Sequence, residues 1–379
     1  MDQRQPARRP VAGRRSTILA TSLVALAALV WLGFAVAGHL RSGGHHHHAV
    51  GESLTRAGTQ PAGELLGGKL FTAWQLDAIA LVPLILLAAW YLTSVALAGI
   101  RNPAIRWPLS RTVSFLAGLL VAAYATCGAI AVFDQALFTA HMAGHLALVM
   151  LSPALLVAGR PLRLAVLASP PKRAARLERI IGGWVVGIIT CPPVALITYT
   201  VMIVGTHLTG LMDTFMRNTW AGQLEHLLYL LAGIQFFVLI VGDEPIRWRL
   251  GAPARWMLLA LAMAVDTFTG IVLMMLGQPI GMLPVPGVDV DTLSDTHTGG
   301  AIMWFGGDGL MAAVMVVLVL TWLRNVDTKD AERSWLERAR EATLAEHTSD
   351  AVVESAEDID EDEGAHNAYN QWLAGLDNR

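Results

Sequence analysis

Eight apolar runs, at roughly 17–38, 76–100, 111–132, 137–159, 183–207, 221–241, 256–277 and 300–323, leave this 379-residue chain little choice of environment. Each is long enough to cross a hydrocarbon core of ~30 Å as a helix rising about 1.5 Å per residue. In lipid the backbone must satisfy its own hydrogen bonds, and no short alternating barrel strands occur. The expected fold is therefore all-α, a polytopic membrane helix bundle of eight transmembrane helices. With 15% charged residues against 54% hydrophobic, the composition is that of a polytopic membrane protein rather than a soluble enzyme. The lipid bilayer is the first partner, and no nucleic-acid surface is expected. Walker, dinucleotide and nucleophile-elbow motifs are absent, so the chain reads as no enzyme.

Loop charges orient the bundle. Lys and Arg number five in the N-terminal segment, three in 101–111, six in 160–182 and three in 242–255. The intervening loops hold three in the long 39–75 stretch, none in 133–136, one in 208–220 and none in 278–299. The positive-inside rule places the basic set in the cytoplasm of a bacterial cell, with both termini inside if all eight segments are kept. The first run also reads as a cleavable signal, with a basic start and AVA before Gly38, against a retained anchor. Either way the next helix starts outside.

The chain then divides into a basic N-terminus and first helix (1–38), an extracytoplasmic linker (39–75), a seven-helix core (76–323) and an acidic cytoplasmic tail (324–379). The linker carries His45 to His48, which reads as a tag-like or low-complexity tract as well as a metal-collecting loop. Cys127 and Cys191 lie singly in apolar runs and read as packing residues.

The polar residues inside the core carry the functional signal. In "FTAHMAGHLALVM", His141 and His145 are four apart, hence on one helical face, in the outer half of the fourth helix. His226 falls at a comparable depth on the sixth helix, His207 closes the fifth at its outer end, and His297 stands just before the eighth. Met274 and Met303 share that half. Imidazole and thioether donors suit copper, Cu(I) in particular, and disfavour Mg²⁺ or Ca²⁺. The expected ligands are His141, His145 and His226, with Met303 or Met274 auxiliary. An interhelical hydrogen-bonding clasp is the bland reading of the same histidines. Deeper, Asp266 and Asp308 are costly carboxylates that must be paired, protonated or turned to a polar cavity.

Several stretches together, "RNPAIRWPLSR", "DQALFTAHMAGHLALVMLSPALLVAGRPLRL", "EHLLYLLAGIQFFVLIVGDEP", "DTFTGIVLM" and "GGAIMW", resemble the seven-helix cytochrome c oxidase assembly factor family CtaG, of the caa3 type. The resemblance covers about residues 70–325. An unrelated single-helix copper chaperone shares the name; this chain lacks its cysteine pair and is not similar to it. The resemblance implies a multi-pass plasma-membrane protein of the respiratory chain's assembly, with copper delivery to cytochrome c oxidase subunits as its role. His141, His145 and His226 stand at family motif positions, as do Asp266 and Gly299, Gly300, Met303 and Trp304.

The leading expectation is a copper chaperone acting in cytochrome c oxidase assembly. A haem-binding membrane protein, a copper permease and a metal-free scaffold for oxidase subunits remain as alternatives. Homo-oligomerisation stays open.

Overall fold

The computed structural model describes residues 73–103, 105–134, 136–217, 219–241, 244–280 and 290–323. Among them every regular element is helical. By contacts the chain divides into two units, Met1–Val314 and Met315–Arg379. The first holds the bundle; of the second, residues 315–323 are described and are helical.

The bundle opens with α1 (Ala78–Arg101), capped by Asp77, whose side chain accepts from the Ile79 N–H. It continues with α2 (Leu109–Cys127) and the short α3 (Ala129–Phe133). Next comes one rod in three parts: α4 (Phe138–Leu146), a π-helical segment Ala147–Leu151, and α5 (Ser152–Ala158). Two short helices, α6 (Pro161–Ala168) and α7 (Pro171–Ile181), lead to α8 (Trp184–Ile189) and α9 (Pro192–His207). The chain then forms α10 (Leu211–Arg217), α11 (Thr219–Ile240), α12 (Ala252–Met274), α13 (Thr292–Ala301) and a second π segment, Ile302–Gly306. Helix continues over 307–323.

Six of these stretches are long and apolar enough to cross a membrane: Ala78–Arg101, Leu109–Phe133, Phe138–Ala168, Trp220–Ile240, Ala252–Met274 and Thr292–Leu323. The expected count of eight is not reached among the described residues, for two different reasons. The first run, 17–38, lies outside them, as do the His45 to His48 linker and the tail. The 183–207 run is broken, because Cys191 takes an extended conformation (φ −64°, ψ 131°) ahead of Pro192 and Pro193. A residue before proline is pushed out of the α region, and proline has no N–H to continue a helix.

Side chains facing away from the bundle are apolar, including Leu86, Leu120, Ile197, Leu231 and Phe268. That pattern suits a lipid surface rather than water. Inside, small residues let backbones approach: the position a Gly118 Cβ would take is 2.9 Å from Leu156, and that of Gly300 is 2.9 Å from Leu273. Gly233 of α11 lies against the Val149 carbonyl and the Pro153 ring, and Gly299 of α13 against the Phe138 ring. Such positions are how membrane helices gain contact when lipid is as apolar as leucine.

Two helix starts are capped by distant carboxylates. Asp295 of α13 accepts from the backbone N–H groups of Phe138 (2.6 Å) and Thr139 (3.3 Å), and from the Thr139 hydroxyl, at the head of α4. Glu244 does the same for α6, accepting from Leu162 and Arg163 N–H at 3.1 and 2.8 Å. Each cap satisfies orphan donors and places negative charge at the positive end of a helix.

Candidate metal centre

Helix α4 turns His141 and His145 inward, and both side chains are buried. Their rings meet edge to face with centroids 4.0 Å apart. The π segment begins two residues after His145, and Pro153 follows it. Such a widened turn re-aims the residues beside it and often marks a functional site. Against this rod packs α11, which contributes Glu225, also buried. One ring nitrogen of each histidine and one carboxylate oxygen of Glu225 all lie within 4.8 Å of one another. The His145 Nε2 to Glu225 Oε1 distance is 3.4 Å.

The outer hydrogen bonds fix what those inner atoms can be. His207 Nδ1 stands 2.7 Å from the Ile203 carbonyl, which can only accept, so that nitrogen carries the proton and Nε2 is an acceptor. His145 Nδ1 therefore donates to His207 Nε2 at 3.1 Å, leaving the His145 Nε2 lone pair facing Glu225. His141 Nδ1 donates to Asp134 Oδ1 at 2.9 Å, so its remaining nitrogen also turns into the cluster. His141 Nε2, His145 Nε2 and Glu225 Oε1 are all buried without a hydrogen-bond partner. Converging acceptors in a dry site repel unless a cation joins them, either a proton or a metal ion.

Around the trio the support is continuous. The Tyr229 ring lies on His145, with centroids 4.0 Å apart and planes 18° apart, and its hydroxyl meets that of Thr206. Asp134, between α3 and α4, stands behind His141 as the acceptor of its Nδ1–H. A carboxylate behind a ligating imidazole orients the ring and raises its basicity.

The residues singled out in the sequence fall into several places. His141 and His145 share the centre, and His207 stands directly behind His145. His226 is half-buried, and its Nδ1 has no hydrogen-bond partner. The atoms that could hold a metal ion come from His141, His145 and Glu225, the neighbour of His226. Met274 packs where Gly300 crosses α12. Met303 is buried in the second π segment, between Gly299, beside Phe138 and Met142, and Gly306, beside Leu146. His297 Nε2 donates to the Leu276 carbonyl at 2.9 Å and ties α13 to the end of α12.

Asp266 and Asp308 belong to a second polar group. The Tyr199 hydroxyl reaches both Asp266 oxygens, at 2.8 and 3.1 Å, and the Thr267 hydroxyl donates to Asp308 at 2.7 Å. Five participants in the centre or its support escaped the sequence reading: Glu225, Asp134, Asp295, Tyr229 and Thr206. Glu225 and Asp134 open two of the quoted motif stretches, so position in the motif was the available signal.

The sequence profile of the family described as cytochrome c oxidase caa3 assembly factor (Caa3_CtaG) matches residues 89–325. The chain belongs to this family. The match takes in the whole trio with Asp134, His207 and Asp295. Membership makes the chain a multi-pass membrane protein of an oxidase-assembly family. Two uncharacterized proteins, of Mycobacterium bovis and Mycobacterium tuberculosis, are each 29% identical to it over 276 residues, covering 70% of this chain and 41% of theirs. A third, from Mycobacterium leprae, is 29% identical over 271 residues, covering 68% of this chain and 40% of its own length. The chain thus spans about two-fifths of the length of these curated relatives. No solved structure matches it.

Proposed function

We propose that the bundle holds a copper ion at His141, His145 and Glu225 and passes it to a cytochrome c oxidase subunit during assembly. The observation that carries this is the convergence of three buried, unpaired acceptor atoms from two helices in a member of an oxidase assembly family. Copper is the substrate here, cargo to be released, and three protein donors leave a coordination position for the recipient's ligand. The loop charges put this end of the bundle outside the cytoplasm, the basic 160–182 loop and the C-terminus inside. Both imidazoles address one point, which suits a single small ion; opposite axial positions on a haem would need ligands from facing sides.

His207, Asp134 and Tyr229 orient the two imidazoles, while the Asp295 cap fixes the helix that carries them. Copper content of the oxidase tests the proposal. His141→Ala with His145→Ala is expected to leave oxidase that is assembled but copper-poor. Unchanged copper content in that strain contradicts it.

A further inference from the structure

We infer that the His141, His145 and Glu225 centre is selective for a divalent ion over Cu⁺. The inference rests on the metal-holding reading above and concerns which charge state enters the same site. Two imidazole nitrogens and one carboxylate oxygen are borderline and hard ligands; they suit Cu²⁺ or Zn²⁺, whereas Cu⁺ is favoured by thiolate and thioether sulfur.

Among the described residues no cysteine joins the group. Cys127 Sγ is 3.9 Å from the Asp77 carbonyl, and Cys191 stands at the opposite end of α9 from His207. Met142 and Met274 pack against Gly299 and Gly300.

Charge balance points the same way. Glu225 is buried in the centre and Asp134 lies one hydrogen bond behind it, on His141. With neutral imidazoles, a divalent ion leaves the cluster uncharged, and a monovalent ion leaves a net negative charge in a low-dielectric bundle. Uncompensated charge there is costly. The sequence alone favoured Cu(I) because His226 and the methionines stood where Glu225 now stands. One carboxylate in place of one imidazole changes both the donor set and the charge.

The experiment uses the full chain, purified in detergent and stripped with a chelator. It is titrated with Cu²⁺ and Zn²⁺ in air, and with Cu⁺ anaerobically against a competing chelator. One Cu²⁺ per chain is expected, with nitrogen hyperfine structure from two imidazoles in its electron paramagnetic resonance spectrum. Glu225→Gln should weaken Cu²⁺ by more than the ~10–100-fold typical of an outer-shell partner, and Cu⁺ by less than that range. Glu225→Met should move the preference toward Cu⁺, which guards against a folding defect in the first variant.

Cu⁺ binding without Cu²⁺ binding, or an equal loss of both ions in Glu225→Gln, overturns the inference and leaves the copper-holding proposal standing. Zn²⁺ binding without either copper ion supports divalent selectivity and removes the copper proposal. Failure to bind any of the three removes both.

Discussion

Asp134 is outside the three-residue cluster, yet it accepts the hydrogen bond from His141 Nδ1 that leaves Nε2 facing the cluster. Asp134→Asn keeps the size of the side chain and removes its charge. Metal affinity is expected to fall ~10–100-fold. A competition titration reads that loss, and an unchanged circular dichroism spectrum would assign it to the site rather than the fold. The His141 and His145 pair was legible because a spacing of four fixes a shared face whatever the neighbours do. Glu225 was not. Depth along a helix separates residues by only ~1.5 Å, so it cannot choose between positions 225 and 226, which point ~100° apart. That choice is made by the rotation of α11, and Gly233 sets how closely α11 approaches Val149 and Pro153. Asp134 was missed for another reason: it sits in the turn before α4 and reaches the site only because the chain folds back there.

At the scale of helices, the centre depends on parts that hold α4 and α11 in register. Asp295→Ala removes the cap that α13 supplies to α4 and is expected to cost about 1 kcal/mol. Thermal unfolding in detergent should show a lower midpoint, with Asp295→Asn recovering part of it because asparagine also caps. Glycines divide by what surrounds them. A valine at Gly233 would meet the Val149 carbonyl and the Pro153 ring, so Gly233→Val should lose both stability and metal binding. Gly309 has nothing within 4 Å of its missing Cβ, so Gly309→Ala should be neutral or stabilising by up to about 1 kcal/mol. The 183–207 run was expected whole and is broken at the Cys-Pro-Pro of 191–193 by proline chemistry, whereas six apolar runs were legible as membrane-length helices. The caps were not, since Asp295 and the Phe138 N–H it binds are 157 positions apart and only the packing of α13 on α4 brings them together.

Over the whole molecule, sidedness decides whether the centre can serve a recipient outside the cytoplasm. Loop charge predicts that Thr292→Cys reacts with a membrane-impermeant maleimide on intact cells, and that Lys172→Cys reacts only after permeabilisation. Both positions are exposed. The native thiols are buried at Cys127 and half-buried at Cys191. His141, His145 and Glu225 are proposed together to hold one metal ion. The deciding measurement is metal analysis of purified wild-type chain beside the His141→Ala, His145→Ala double variant, each reloaded in parallel with Cu²⁺, with Zn²⁺ and, anaerobically, with Cu⁺, then desalted. One ion per wild-type chain with at least one of the three and none in the folded double variant is the predicted result; equal metal in both chains, or none in either with any of the three, contradicts it.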